Sequence, residues 1–233
     1  YGYNNVEIPT ELKSSLTIAE EADKNYHREN IIGEQLVGAG FSEIMNNSLT
    51  KSSYYEEAGL NAYPWEETVK VMNPLSADLG VMRQTLLFGG LESIVRNVNR
   101  KAQNLRFFEV GNVYKYNKER WTEENPVKAY SQDYHMALWV TGKRVQGSWA
   151  HPDEESSFYE LKAHVENILR RIGLAQGLLV SEKSDNNVFD KAIALKTRAG
   201  KVLVEMGILS HKLLKRFGLD QKVYYADLDW AGL

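Results

Sequence analysis

Three residues, Arg198 to Gly200, separate two strand-like runs at 190–197 and 201–208. A link that short cannot carry a crossover, so the strands it joins must lie antiparallel as a hairpin. Further strands read at 106–116 (RFFEVGNVYKY) and 134–141 (YHMALWVT), separated by a polar, proline-containing loop, and near 177–182 and 223–229. Helical patterns interrupt this series without repeating regularly between strands. The fold expected is therefore α+β: an antiparallel sheet flanked by helices, with three helices covering one face.

The helices announce themselves by apolar spacing. Ile32, Leu36 and Ala39 predict a helix from about Asp23 to Ala39, stopped by Gly40. Leu87, Leu91, Ile94, Val95 and Val98 predict a second, with Thr85 as N-cap and an end near Arg100. Leu161, Val165, Ile168, Leu169 and Ile172 mark a third over 157–172, closed by Gly173, and a short fourth falls at 210–217. FSEIMNNSLT (41–50) reads as a strand, and TVKVM (68–72) as another that Asn73-Pro74 ends in a turn. Residues 1–15, with Gly2, Asn4-Asn5 and Pro9, read as an extended lead-in to a core over 16–233.

Composition limits the chemistry. The net charge is -3 with a pI of about 6.0, so no global positive field draws the chain to nucleic acid or to an anionic membrane. Without cysteine there is no disulfide, thiolate nucleophile or cysteine metal site, which fits a reducing cytoplasm. No apolar run approaches the roughly 20 residues that span a bilayer, and the amino terminus does not read as a secretory signal. The absence of an initial methionine suggests a fragment or a processed chain.

Candidate catalytic groups are sparse. The five histidines lack HExxH spacing or a short carboxylate cluster and read as surface or edge residues. Glu160, Glu166 and the run Asp153 to Glu155 read as solvated helix-flanking groups. No serine lies in a GxSxG context. Basic residues gather near two helix ends: Arg96, Arg100, Lys101 and Arg106 at one, Lys212, Lys215 and Arg216 at the other. Either group is a candidate for nucleic-acid phosphate contact, although cations at a helix carboxyl end also complement the helix dipole. Arg83 follows an apolar pair and an NPLS turn, where it can hydrogen-bond turn carbonyls or a carboxylate such as Asp78.

Five stretches carry a resemblance: YGYNNVEIP, LVGAGFSEIMNNSLT, NPLSADLGVMRQTLLFGGLESIVRNVNR, RFFEVGNVY and SSFYELKAHVENILRRIG. In this order they resemble the class II synthetase-like core of the bacterial phenylalanyl-tRNA synthetase beta subunit. The shared motif positions are Asn73, Pro74, Ser76, Asp78, Arg83, Asn97, Asn99, Arg100, Glu109 and Gly111. The resemblance implies a catalytic alpha subunit as partner in an assembly of two alpha and two beta chains, tRNA(Phe) bound through the complex, and no membrane association. It implies ATP and magnesium for the whole enzyme, no cofactor in this chain, and a cytoplasmic location. It also places a subunit interface on a helix followed by a strand, for which Asn30, Gln35, Phe41, Ile44 and Met45 are the candidates.

Active class II enzymes hold the α-phosphate of ATP with arginine, one of them in a Phe-Arg-x-Glu pattern on a strand. Here Arg106 and Glu109 stand three apart, and an odd offset sends strand neighbours to opposite faces. The second arginine of such enzymes, after a glycine-rich strand end, has no counterpart in VYYADLDWAGL. The chain is thus expected to be catalytically silent. Phe88 replaces the family's usual proline at the start of the LLFGGL helix, which points to a loosened or shifted helix start, and GILSHK stands where the family has GxLHP. The family's magnesium-binding carboxylates, editing domain and RNA-binding module lie outside this sequence. Two other readings are an active free-standing ligase or acyl-adenylate-forming enzyme, and a regulatory synthetase-like paralogue that binds a small molecule or another enzyme.

Overall fold

The computed structural model describes residues 2–6, 20–56, 60–174 and 177–233. The lead-in expected over 1–15 lies outside these residues except at 2–6, where Tyr3–Asn5 make one 3-10 turn. In chain order the elements begin with α1 (Glu21–Gly38), β1 (Ser42–Glu43), β2 (Leu49–Thr50), α2 (Ser53–Glu56) and β3 (Val81–Met82). Next come α3 (Leu87–Asn99), the long hairpin β4 (Leu105–Tyr116) and β5 (Tyr130–Thr141), and the small β6 (Lys143–Val145) and β7 (Glu154–Glu155). The last part holds α4 (Phe158–Arg171), β8 (Val180–Ser184), β9 (Phe189–Lys196), β10 (Val202–Leu209), α5 (His211–Arg216) and β11 (Val223–Asp229).

Seven strands form one sheet in the order β1-β4-β5-β11-β10-β9-β8. Every pairing is antiparallel except that of the short edge strand β1 with β4. β10 lies beside β9 through the expected hairpin, and β11 inserts between β5 and β10. The α+β architecture read from the sequence is the one observed.

The helices, however, divide between the two faces. Ile32 and Leu36 of α1 join Leu161, Val165, Ile168 and Leu169 of α4 against one face. Leu87, Phe88, Leu91 and Ile94 of α3, with Leu213 and Leu214 of α5, cover the other. The reason lies in β5, where Met136, Leu138 and Val140 point one way and Ala137 and Trp139 the other, all fully buried. A strand apolar on both sides needs cover on both sides, and each fully buried Leu or Val contributes about 1.5–3 kcal/mol over its exposed state.

Local chemistry sets the element ends. Glu20 and Asp23 form a reciprocal capping box that starts α1 at Glu21, two residues before the apolar spacing suggests. Ser157 Oγ accepts from the Glu160 amide to start α4, and Gly40 and Gly173 follow α1 and α4 with φ of 85° and 90°. At α3 the side-chain cap is displaced: the N-cap position is Leu86, while Thr85 Oγ1 accepts from the Leu87 amide at 3.2 Å. Phe88, in place of proline, turns inward and stacks on Tyr54 and Phe217.

Two expected strands are altered. The stretch 41–50 is broken at Ile44 to Ser48, because the Asn46 amide donates to Glu109 Oε1 and leaves the sheet ladder. The stretch 68–72 is not a strand but a single bridge, Lys70 to Val81. Its partner β3 is only two residues long and Pro74 follows closely.

Candidate functional site

The register of β4 against β5 is unbroken from Leu105–Thr141 to Tyr116–Tyr130. With no bulge to re-aim a side chain, Arg106 and Glu109 leave the sheet on opposite faces. Arg106 reaches Glu160 at the start of α4, with both contacts at 2.9 Å, and its Nη2 donates to the Arg144 carbonyl. Glu109 faces the α3 side.

There Glu109 is part of a buried knot. Arg83 Nη1 donates to Glu109 Oε1 at 2.6 Å, while Arg83 Nε donates to the Asn112 carbonyl at 2.8 Å. Asn46 supplies both its backbone amide and its Nδ2, at 3.2 and 2.6 Å, to the same carboxylate. Arg83 also extends its backbone into the structure, donating to Ser48 and accepting from Tyr114. Gly111 makes room, since a Cβ there would overlap Arg83 Nη2. Two nitrogens of this guanidinium, Nε and Nη1, are thus engaged by the protein itself.

The centre of this sheet face is closed by rings. Trp139 and Tyr225 pack with centroids 5.4 Å apart, and Phe189 stacks on Tyr225 at 6.1 Å. Beside them the Thr85 hydroxyl lies 3.4 Å from Tyr225 Oη and also pairs with Tyr63. Burial pushes both tyrosine hydroxyls well above the ordinary phenol range, so they serve as hydrogen-bonding groups and not as acids. At the rim His135 Nδ1 meets Asp227 Oδ1 at 2.7 Å.

These residues do not fit a nucleotide. Arg83, beside the rings, is engaged with Glu109 and backbone carbonyls, and the floor is filled by aromatic rings. Among the described residues no group of three or more His, Cys, Asp or Glu is arranged to hold a metal ion.

The family described as phenylalanyl tRNA synthetase beta chain CLM domain matches residues 8–230. The chain belongs to that family. It is 55% identical over 233 residues to the phenylalanine–tRNA ligase beta subunit of Bacteroides thetaiotaomicron and 47% identical to that of Porphyromonas gingivalis. The match takes in all of this chain and 28% of each of those proteins. Among solved structures, pyrrolysyl tRNA synthetase PylSc of Desulfitobacterium hafniense matches with a TM-score of 0.62, over 87% of this chain and 65% of that one. At 13% identity this likeness shows the fold alone, a class II synthetase fold.

Within the synthetase beta-chain fold the sequence motif positions part company. Asn73, Pro74, Ser76 and Asp78 lie exposed on the turn before β3. The carboxylate that Arg83 meets is accordingly Glu109 and not Asp78, which approaches Lys51 at 3.9 Å. Asn97 donates back to the Ser93 carbonyl within α3, and Asn99 and Arg100 are exposed at its end. Only Arg83, Glu109 and Gly111 are brought together.

Of the interface candidates, Asn30 is exposed, Gln35 half-buried and Met45 almost fully exposed. Phe41 belongs to the chain's own core, edge-on to His164, and Ile44 is partly buried against the opposite core. Of the tRNA-contact candidates, Arg96, Lys101, Lys212 and Lys215 are exposed. Arg106 is held by Glu160, and Glu160 is buried instead of solvated. Sequence reasoning missed Asn46, His135 and Asp227. The period-two pattern of β5 and β11 could have placed the last two on one face, but their pairing depends on β11 inserting beside β5.

Proposed function

We propose that this domain is the non-catalytic core of a phenylalanine–tRNA ligase beta subunit, a scaffold that assembles with the catalytic alpha subunit in a cytoplasmic enzyme of two alpha and two beta chains. The whole enzyme charges tRNA(Phe) with phenylalanine, using ATP and magnesium that its other parts hold. The observation that carries this reading is the divergence of Arg106 and Glu109, each neutralised inside the fold. Adenylate formation needs preorganised positive groups aimed at the developing phosphate charge, and here those groups serve the architecture.

The test has two arms. Phenylalanine-dependent ATP–pyrophosphate exchange by this chain is expected to stay at the level of a blank, and exchange above it refutes the silent assignment. Co-expression with a tagged alpha subunit is expected to recover the chain in a stable complex. Failure of the alpha subunit to retain it, with the chain folded, removes the scaffold role.

A further inference from the structure

The hairpin of β4 and β5 outruns the sheet. Its last ladder pair is Tyr116–Tyr130, whereas β11 stops beside β5 at Asp229–His135. At the base of the protruding loop lies a polar pocket of about 350 Å³. Its wall is fixed from within: the Asn117 amide donates to the Ala129 carbonyl at 2.7 Å, Asn117 Oδ1 accepts from the Glu119 amide, and Ala129 is buried.

Three cations, Lys115, Arg120 and Lys128, line this pocket together with two carboxylates, Glu67 and Asp133. Lys115 and Glu67 approach each other at 3.8 Å, and Asp133 accepts from the Ser131 hydroxyl. Arg120 and Lys128 have no ion pair among the described residues, although the chain as a whole carries net negative charge. Beside them the rings of Tyr116 and Tyr130 meet at 5.3 Å, and Tyr130 remains half exposed. Trp121, next to Arg120 on the loop, is also half exposed.

We infer that this pocket is a contact site for single-stranded RNA, with Arg120 and Lys128 on a phosphodiester and Tyr130 under an adjacent base. Unpaired cations next to an open ring face match one nucleotide step, since the charge takes the phosphate and any base can stack on the ring. A bare phosphate would leave the rings without a function. The pocket lies apart from the helix-end lysines and arginines that the sequence brought forward as tRNA contacts. The choice of RNA as the polyanion rests on the aminoacyl-tRNA reading of the domain.

Fluorescence-anisotropy titration of a labelled single-stranded RNA with this protein, over a salt series, tests the site. The Arg120→Ala, Lys128→Ala double variant is expected to flatten the slope of log affinity against log salt by about 1.4, or about 0.7 for each cation lost from a single strand. Tyr130→Ala is expected to weaken binding about tenfold with the slope unchanged. Lys162→Ala with Lys183→Ala, at lysines already paired with Glu166 and Asp185, serves as the control and should alter neither. Wild-type affinity and slope in the first double variant overturn the assignment, as does displacement of the RNA by inorganic phosphate at an equal phosphate concentration. A melting curve checks folding, and Arg120→Gln alone, expected to give half the slope change, replaces the double variant if that melts early. Alpha-subunit capture by the same variants reports the scaffold role separately, so either reading can fail without the other.

Discussion

Arg83 Nη1 and Glu109 Oε1 lie 2.6 Å apart with side chains only 9% and 2% exposed, joining the loop before α3 to the middle of β4. The pair spans the place where the chain passes from the small β2–β3 ladder into the main sheet. Its value is positional, because a buried ion pair gains little over an apolar substitute but is costly to break.

Arg83→Ala therefore leaves Glu109 buried with only Asn46 to satisfy it, and is expected to lower stability by about 3–5 kcal/mol. Arg83→Lys keeps the charge but loses the fork that reaches Glu109 and the Asn112 carbonyl together, and should fall between. Urea unfolding of the three proteins gives the order directly. A loss below about 1 kcal/mol for Arg83→Ala would show that the knot is dispensable.

Gly90 on α3 lies against the indole of Trp139, so closely that a Cβ would overlap the ring. Gly90→Ala should cost about 1–3 kcal/mol by overpacking, despite the better helix propensity of alanine. Trp139→Phe in the same chain should recover part of that loss. Additive effects of the two changes would mean that the residues do not share the contact.

His135 and His164 give opposite pH limbs. Burial opposes the charge on His135, yet Asp227, with Asp229 and Asp133, holds its pKa above the ordinary value. Its stabilising contribution is complete below about pH 6.5 and is lost as pH rises through the folded-state value. Asp227→Asn should flatten that limb above about pH 6.5. His164 is lowered by burial, so it costs stability as pH falls below about 6.5, and His164→Gln should flatten the acid side. Denaturant midpoints across this range read both limbs, and an unchanged profile in either variant dismisses its assignment.

On α1 the exposed residues Tyr26, Asn30 and Val37 recur at helical spacing, opposite the buried Ile32 and Leu36. If this stripe is the alpha-subunit interface, Asn30→Arg with Val37→Asp should weaken capture at least tenfold, since desolvating unpaired charge is costly at an interface core. The melting temperature should stay nearly unchanged, because neither side chain is packed. Capture at wild-type affinity places the interface elsewhere on the fold.

Much of this was legible without coordinates. The spacing of Arg106 and Glu109 already sent them to opposite faces, because strand alternation is a property of the backbone and the unbroken hairpin register enforces it. The end of α4 followed from Gly173, since a cap acts over a few residues. Glu160 was misread as solvated because a carboxylate in a helix's first turn looks the same whether or not an arginine from a distant strand approaches it.

By itself, then, the sequence determined the antiparallel α+β class, the helix stripes and the separation of the two clamp residues, all of which depend on local periodicity and short links. The tertiary structure decided what lies opposite what: helices on both faces, Glu109 as the partner of Arg83, Asp227 beside His135, and Arg120 with Lys128 around the Tyr116–Tyr130 pair. Those contacts join residues far apart in the chain or across a loop. They are set by strand order and packing, which no local pattern encodes.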